Sequence, residues 1–250
     1  MLYLIWILSL KDLKQRYHER YLKATWAFIN PLFQLALFTL VFSRIARFHS
    51  EGASYPLFAL SALIPWVFFS SCLSSSCYSL TSNRSLITRL HFPRIAIPLS
   101  VLVTHLIDFV IAAAMFCVFL ALQWPASVPP VFSLLPVFAL QLVFTAAIAL
   151  VLSISNAYFR DVGSALPMIT QSWLFVSPVV YSAGAVPEKW RALYFLNPMA
   201  VVIDSYRRVL LHSQTPDARL FGTALLVSLS IFILAWLLFK KLETNLADVI

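Results

Sequence analysis

Charge is scarce in this sequence. Only 11% of its 250 residues are Asp, Glu, Lys or Arg, while 61% are hydrophobic; an ordinary soluble domain has about 25% and roughly 45–50%. A chain of this composition has too little polar surface to cover itself in water, so lipid must be its solvent. The composition therefore excludes most soluble proteins and predicts an all-α membrane protein.

Glycine is scarce too, with only Gly52, Gly163, Gly184 and Gly222. A phosphate-binding loop of the Walker type needs two glycines five positions apart followed by Lys, because its backbone N–H groups must approach the phosphates. No pair here has that spacing. We therefore expect this chain to bind no cofactor itself; in an ATP-driven system, ATP and Mg²⁺ would be bound by a partner chain.

Catalytic and metal-binding patterns are absent from the sequence. The three cysteines show no CxxC or Cys/His spacing, each histidine stands alone, and neither HExxH nor GxSxG occurs. We expect neither a metal site nor an active site, so the chain is not predicted to be an enzyme. Asp108 is the one charged residue between positions 95 and 159. It should be hydrogen-bonded in the bundle, because a carboxylate is costly in lipid.

Long uncharged runs are what the sequence does contain. Since a helix needs about 20 mostly apolar residues to cross the hydrocarbon core, these runs predict six transmembrane helices in a single domain, residues 1–250. Prolines 125, 129 and 130 separate the third from the fourth. The predicted spans are residues 24–45, 57–80, 96–122, 132–155, 164–182 and 220–239.

A different kind of segment lies between the fifth and sixth spans. Residues 192–203 form an uncharged run that is too short to cross and too apolar for a plain loop, and Asn197-Pro198 interrupts it. A re-entrant helical hairpin over residues 187–212, dipping into the outer leaflet, satisfies both facts if protein covers the broken backbone. The alternative is an amphipathic helix on the membrane surface.

The placement of Lys and Arg predicts the orientation. Eleven cations lie on the side of both termini and seven on the opposite side, which places both termini in the cytoplasm of a multi-pass inner-membrane protein. Because these cations cluster at the edges of apolar blocks, the net charge of +8 is no indication of nucleic-acid binding.

Two cytoplasmic segments have the pattern of short ordered helices. In residues 1–23, Leu10, Leu13 and Tyr17 recur at three- and four-residue spacing and place an apolar stripe on one helix face. The segment TSNRSLITRLHFPRIAIP, residues 81–98, is a short basic and apolar helix between two spans. Either segment could be a contact for a partner protein or a positively charged element that only fixes topology.

Seven segments, in order, resemble one known family. They are KDLKQRY, WAFINPLFQLALFTLVF, LIPWVFFSSCL, LITRLHFPRIAIPLS, FRDV, SPVVYSAGAVP and NPMAVVIDSYRRVL. Together they resemble the permease subunits of type-2 ABC transporters that export O-antigen and related polysaccharides. The chain departs from the family at Leu22-Lys23-Ala24 and Ser61-Ala62, where the family commonly has glycine.

The resemblance implies a homodimer with two copies of a cytoplasmic ABC ATPase in the bacterial inner membrane. It implies an interface helix in residues 1–23, a coupling helix in residues 82–93 and a periplasmic gate in residues 187–212. The cargo it implies is an undecaprenyl-pyrophosphate-linked polysaccharide. The implied ATPase-coupling residues are Arg84, Leu86, Arg89, Phe92, Arg94, Leu10, Leu13 and Tyr17, and the implied gate residues are Asn197, Pro198, Asp204 and Arg207.

Cargo contacts are predicted at two places. Arg16, Arg20 and Lys23 could attract the phosphates of the cargo at the inner leaflet. Sugars stack their apolar faces on aromatic rings, so aromatics at one depth in the membrane could guide a polymer, although core packing or lipid contact is the commoner role of such rings. The predicted channel aromatics are Trp66, Phe69, Trp173 and Phe175.

Two other interpretations stay open. The same exporter class could carry teichoic acid, capsule or another lipid or drug cargo. A membrane assembly protein that transports nothing is the second alternative.

Overall fold

The computed structural model describes residues 2–18, 33, 40, 54–90, 92–123 and 131–246, apart from the side chains of residues 2, 15–18 and 131. Regular structure in these ranges is helical throughout, with no strand. This confirms the all-α prediction for the described part of the chain. The first predicted span, residues 24–45, lies outside the described residues except for positions 33 and 40.

Four of the described helices are long and apolar enough to cross a membrane: α2 (Tyr55–Ser82), α4 (Ala96–Gln123), α5 (Leu134–Tyr158) and α9 (Ala218–Glu243). They coincide with the second, third, fourth and sixth predicted spans. The full count of six stays a prediction. The helices are α1 Leu2–His18, α2 Tyr55–Ser82, α3 Arg84–Arg89, α4 Ala96–Gln123, α5 Leu134–Tyr158, α6 Asp161–Val176, α7 Glu188–Tyr194, α8 Pro198–His212 and α9 Ala218–Glu243.

The fifth predicted span corresponds to α6, which ends at Val176 and not at residue 182. Pro178 explains the early end, because its ring keeps the preceding residue out of the helical region, and Ser177 is extended with φ −107° and ψ 149°. With 16 residues, α6 is about 24 Å long, shorter than the hydrocarbon core of about 30 Å. A fifth crossing would need the turn after α6 as well.

Two helices occupy the segment predicted as a hairpin. They are α7 and α8, and the break between them falls at Asn197-Pro198. The Asn197 side chain caps α8 by accepting the N–H of Met199 at 3.1 Å, and Pro198 takes the first helical position, where its missing N–H costs nothing. The re-entrant path through a membrane stays a prediction.

The core of the described residues divides into two large apolar clusters along the bundle and a small third one around Leu57, Ile64, Phe116 and Leu120. The outer cluster joins α2, α5 and α8 around Phe58, Phe69, Phe144 and Met199. The inner cluster, on the side predicted to be cytoplasmic, includes Leu80, Ile87, Ile154, Phe239 and Leu246. Within their spans, 72% of α2 and 61% of α5 are buried, against 28% of α4 and 17% of α9. The first pair therefore forms the centre, and the second pair leaves most of its surface exposed.

The helix α9 begins at a side-chain cap. The carboxylate of Asp217 accepts the N–H groups of Arg219 at 2.9 Å and Leu220 at 3.2 Å. The backbone hydrogen bond from Leu220 is the main reason that the pKa of Asp217 lies below its ordinary value. This cap fixes the start of the sixth predicted span.

One buried amide joins three helices. Asn156 of α5 donates to the carbonyl of Cys77 in α2 at 3.0 Å and accepts the N–H of Gly163 in α6 at 2.9 Å. A Cβ at Gly163 would lie 2.7 Å from the Tyr78 ring and 2.8 Å from Asn156 Oδ1. Glycine is therefore required here for close packing.

We expect Gly163→Ala to lower the free energy of unfolding by about 1–3 kcal/mol, because the added methyl must displace Tyr78 or Asn156. Gly222→Ala is the matched control, since nothing lies within 4 Å of its added Cβ. That variant should keep or raise stability by up to about 1 kcal/mol. Thermal unfolding of the purified protein in detergent measures both changes, and equal unfolding temperatures for the two variants would contradict the packing argument.

Candidate functional site

On the side predicted to be cytoplasmic, α3 and the residue that follows α5 expose basic and apolar side chains. Arg84 and Arg89 are exposed, as are the large side chains of Leu90 and Phe159. Beneath them, Ile87 turns inward and is only 2% exposed in the inner cluster. A six-residue helix is marginal in isolation, so this buried side chain holds α3 against the bundle while its cations point outward.

The predicted coupling residues do not all share this exposed face. Leu86 and Phe92 are half-buried, and Phe92 packs against the inner cluster. Arg94 turns toward α9, where its backbone N–H donates to Glu243 Oε1 at 2.6 Å and its guanidinium Nη1 donates to the Glu243 carbonyl. Arg84 and Arg89 are therefore available to a partner surface, whereas Arg94 holds the following segment in place.

The N-terminal helix α1 packs along α4 and contacts the α2–α3 junction. Lys11 Nζ donates to Asn83 Oδ1 at 3.0 Å. Leu10 is exposed and Leu13 half-buried, while Tyr3 and Trp6 present large exposed surfaces of 77% and 56%. This helix carries apolar side chains that suit the lipid interface.

The residues predicted for cargo uptake cannot be placed. Arg16 and Tyr17 belong to α1, but their side chains lie outside the described residues, as do Arg20 and Lys23 entirely. Their roles stay predictions.

Three of the four predicted channel aromatics meet in the structure. The ring centroids of Trp66 and Phe69 lie 5.6 Å apart, and those of Phe69 and Trp173 lie 5.2 Å apart. Phe144, which was not predicted from the sequence, stacks on Phe69 at 5.6 Å and belongs to the same group. Phe175 is 53% exposed on α6. Because Trp66 and Phe69 are buried within one protomer, their placement favours the packing role; the channel role stays a prediction.

Arg207 is the central side chain of the outer segment. It is 4% exposed and donates from Nη1 to the carbonyl of Tyr181 at 2.9 Å and from Nη2 to that of Val179 at 2.8 Å. Its guanidinium carbon lies 3.6 Å from the ring centroid of Phe58. These contacts fasten the turn after α6 to α8 and α2, because the turn has no helical hydrogen bonds for those carbonyls.

Asn197 connects the same turn to the break between α7 and α8. Trp173 Nε1 donates to Asn197 Oδ1 at 3.2 Å, and Asn197 Nδ2 donates to Ser177 Oγ at 3.0 Å. Pro198 is buried, and the half-buried Asp204 pairs with Arg208 at 3.4 Å. The predicted gate residues therefore occupy one segment, with Asn197 and Arg207 as its fixed points.

A hydrogen-bond chain crosses the bundle behind this segment. Tyr206 donates to Gln141 Oε1 at 3.0 Å, and Gln141 Nε2 donates to the carbonyl of Pro65 at 2.8 Å. All three residues are buried. Gln141 was not identified from the sequence, although an amide within a long apolar run is a signal that could have identified it.

The expectation that every histidine stands alone is wrong for His105. Its Nε2 lies 2.9 Å from Ser75 Oγ, and its Nδ1 lies 3.6 Å from Asp108 Oδ2. The i,i+3 spacing of His105 and Asp108 on one helix is visible in the sequence, but the approach of Ser75 depends on the pairing of α2 with α4. Among the described residues, no group of three or more His, Cys, Asp or Glu side chains could hold a metal ion.

Comparison with known proteins matches residues 3–211 to the ABC-2 type transporter family. The chain is 30% identical over 242 residues to the O-antigen export system permease protein RfbA of Myxococcus xanthus, covering 95% of this chain and 92% of the relative. It is 26% identical to the protein of the same name from Klebsiella pneumoniae, over 99% and 95% of the two chains. The polysialic acid transport protein KpsM of Escherichia coli is 21% identical, over 82% and 80%.

The contacts of Arg207 predict a large difference between two neighbouring arginines. Arg207→Lys should lower the free energy of unfolding by about 2–4 kcal/mol, because an ammonium cannot replace both forked hydrogen bonds and the ring contact. Arg208→Lys is the matched control: its pairing with Asp204 is partly exposed, so the change should stay within about 1 kcal/mol. Thermal unfolding in detergent compares the two, and a wild-type midpoint for Arg207→Lys would contradict the proposed fastening.

Proposed function

The chain belongs to the ABC-2 type transporter family, and we propose that it is the membrane-spanning permease subunit of an ATP-driven exporter. Its cargo in this proposal is an O-antigen-like polysaccharide linked to undecaprenyl pyrophosphate, moved from the cytoplasm to the periplasm. The observation that carries the proposal is the similarity to O-antigen export permeases over nearly the whole chain.

The proposed topology has six spans with both termini in the cytoplasm of a bacterial inner membrane. The long helices α2, α4, α5 and α9 account for four crossings, residues 24–45 provide the first, and α6 with its following turn provides the fifth. The helices α7 and α8 form the re-entrant gate. Support comes from the distribution of Lys and Arg and from the burial of α8, whose residues fill the outer cluster instead of lying on the surface.

A homodimer is proposed because one face of α6 is unsuited to lipid. Only Gly163, Leu166 and Leu174 of this helix are buried. The opposite face exposes Ser164, Met168, Gln171 and Phe175 at helical spacing. An amide in hydrocarbon is costly without hydrogen-bond partners. We therefore propose that this face lines a polar seam between two copies of the chain, where a sugar chain could pass.

Two copies of a cytoplasmic ABC ATPase complete the proposed exporter. The chain itself lacks the glycine spacing of a phosphate-binding loop. The exposed face at Arg84, Arg89, Leu90 and Phe159 suits an acidic and apolar partner surface, and it is where ATPase movement would be received.

Capsule export is the second candidate function. It is favoured by the similarity to the polysialic acid transport protein over most of the chain. Both candidates are polysaccharide exporters, so they differ in cargo and not in mechanism.

Deleting the gene for this chain should abolish surface polysaccharide and make the lipid-linked polymer accumulate inside the cell. Mass spectrometry of the extracted lipid fraction identifies which glycan accumulates and separates O-antigen from capsule. Re-expression of the wild-type chain should restore export. Normal surface polysaccharide in the deletion strain, with no glycan accumulating inside, would contradict the proposed function.

Charge reversal tests the proposed uptake of the cargo's phosphates. Arg16→Glu combined with Arg20→Glu should slow export by about tenfold or more, since each lost charge-assisted contact is worth roughly 1.5–3 kcal/mol. Lys14→Glu, at an exposed position of α1, is the control for a general effect of charge. Surface polysaccharide at the wild-type level in the double variant would exclude this uptake step.

A further inference from the structure

The C-terminal end of α9 is held by side chains from two other segments. The last carbonyls of a helix have no partner within the helix. Here the Leu242 carbonyl accepts the hydroxyl of Tyr158 at 2.9 Å, and the Glu243 carbonyl accepts the guanidinium of Arg94. A cation at this end is also favoured by the helix dipole. The end of α9 is therefore fastened to both α5 and the segment that follows α3.

Glu243 adds a contact in the opposite direction. Its carboxylate Oε1 accepts the backbone N–H of Arg94 at 2.6 Å. Arg94 and Glu243, which are 149 residues apart in sequence, thus share two hydrogen bonds, and in each bond the side chain of one residue meets the backbone of the other. Such a two-point contact restricts rotation as well as distance, so residue 94 cannot shift without moving the end of α9.

The inner cluster supports this contact with apolar packing. Ile87 of α3 is buried in the same cluster as Phe239 of α9 and Leu246 just beyond it. Since packed interiors transmit displacement instead of absorbing it, a push on α3 reaches α9 through the packed side chains of this cluster as well as through Arg94.

At its other end, α9 packs against α8. Ala224 belongs to the outer cluster together with Met199 and Val202 of α8, and Leu220 and Phe221 pack against that cluster. With 26 residues, α9 is about 39 Å long. It is thus a single continuous helix. One end contacts Arg94, which follows α3 and forms with it what we call the coupling segment, and the other end contacts the proposed gate helix α8.

We infer that Glu243 is a positioning residue that joins the coupling segment to α9, so that displacement of α3 by the ATPase is carried along α9 to α8 at the outer mouth. The inference rests on the proposed function. It assigns α9 the role of the connecting element and Glu243, Arg94 and Tyr158 the role of its cytoplasmic attachment.

Three variants in the complex of permease and ATPase test this attachment. Glu243→Ala removes the acceptor for the Arg94 N–H, Glu243→Gln keeps an acceptor oxygen at the same place, and Thr244→Ala changes an exposed neighbour. Copurification of the ATPase, ATP hydrolysis by phosphate release, and surface polysaccharide in complemented deletion cells are measured for each.

Glu243→Ala should bind the ATPase and hydrolyse ATP at nearly the wild-type rate while export per ATP falls roughly fivefold, the equivalent of one lost hydrogen bond. Glu243→Gln and Thr244→Ala should match the wild type. Unchanged export in Glu243→Ala overturns the inference. An equal loss of export in Glu243→Gln also overturns the inference. The same holds if export, hydrolysis and copurification all fall in the same proportion, since a purely structural role moves all three together.

Tyr158→Phe covers the case in which Glu243→Ala fails to accumulate. It removes only the hydroxyl that bonds the Leu242 carbonyl, and it should also lower export per ATP without affecting hydrolysis; a wild-type ratio would overturn the inference. If the wild-type complex itself exports nothing in response to ATP, the proposed function fails and the inference fails with it. If the wild-type complex and the Glu243→Ala variant both export normally, the inference is refuted while the proposed function stands.

Discussion

In lipid, a carbonyl or N–H group left without a partner can be satisfied only by the protein itself. The described helices are interrupted after Val176 and at Asn197, and each place leaves backbone groups that need partners. Side chains supply them: Arg207 of α8 donates to the turn after α6, and Asn197 caps the helix that follows it. Within the bundle, Gln141 of α5 adds a hydrogen bond to the Pro65 carbonyl of α2. The bundle is organised around these side-chain-to-backbone bonds.

The same bonds tie the irregular outer segment to the rigid centre of the bundle. Arg207 and Tyr206 are adjacent on α8, yet one holds the turn after α6 and the other reaches Gln141 in α5. These hydrogen bonds, together with the packing of α8 in the outer cluster, hold the proposed gate in its present position. At the end predicted to be cytoplasmic, the inner cluster and the Arg94–Glu243 contact hold α3 and the segment that follows it. Export in the proposed mechanism requires these two regions to move together.

Much of the fold was predictable from the spacing of charges and prolines. The second, third, fourth and sixth predicted spans coincide with long helices because an uncharged run of sufficient length has few alternatives in lipid. The break at Asn197-Pro198 was also predictable, since proline cannot continue a helix from the preceding residue. The fifth predicted span extends six residues beyond the end of α6, because an apolar run does not reveal whether it is helix or turn, although Pro178 was a local signal.

The individual side-chain roles were harder to predict, and tertiary structure decided them. The sequence around Trp66 and Phe69 would be the same whether these rings lined a channel or packed in a core. Only the contacts with Phe144 and Trp173 show that they pack within one chain. Arg94 resembles Arg84 and Arg89 in sequence, but it contacts Glu243 while the other two stay exposed. By itself the sequence determined that the chain is a helical membrane protein, because composition, run length and proline act locally. Which polar side chains meet across the bundle depends on helix packing between distant residues, and that was settled only by the three-dimensional structure.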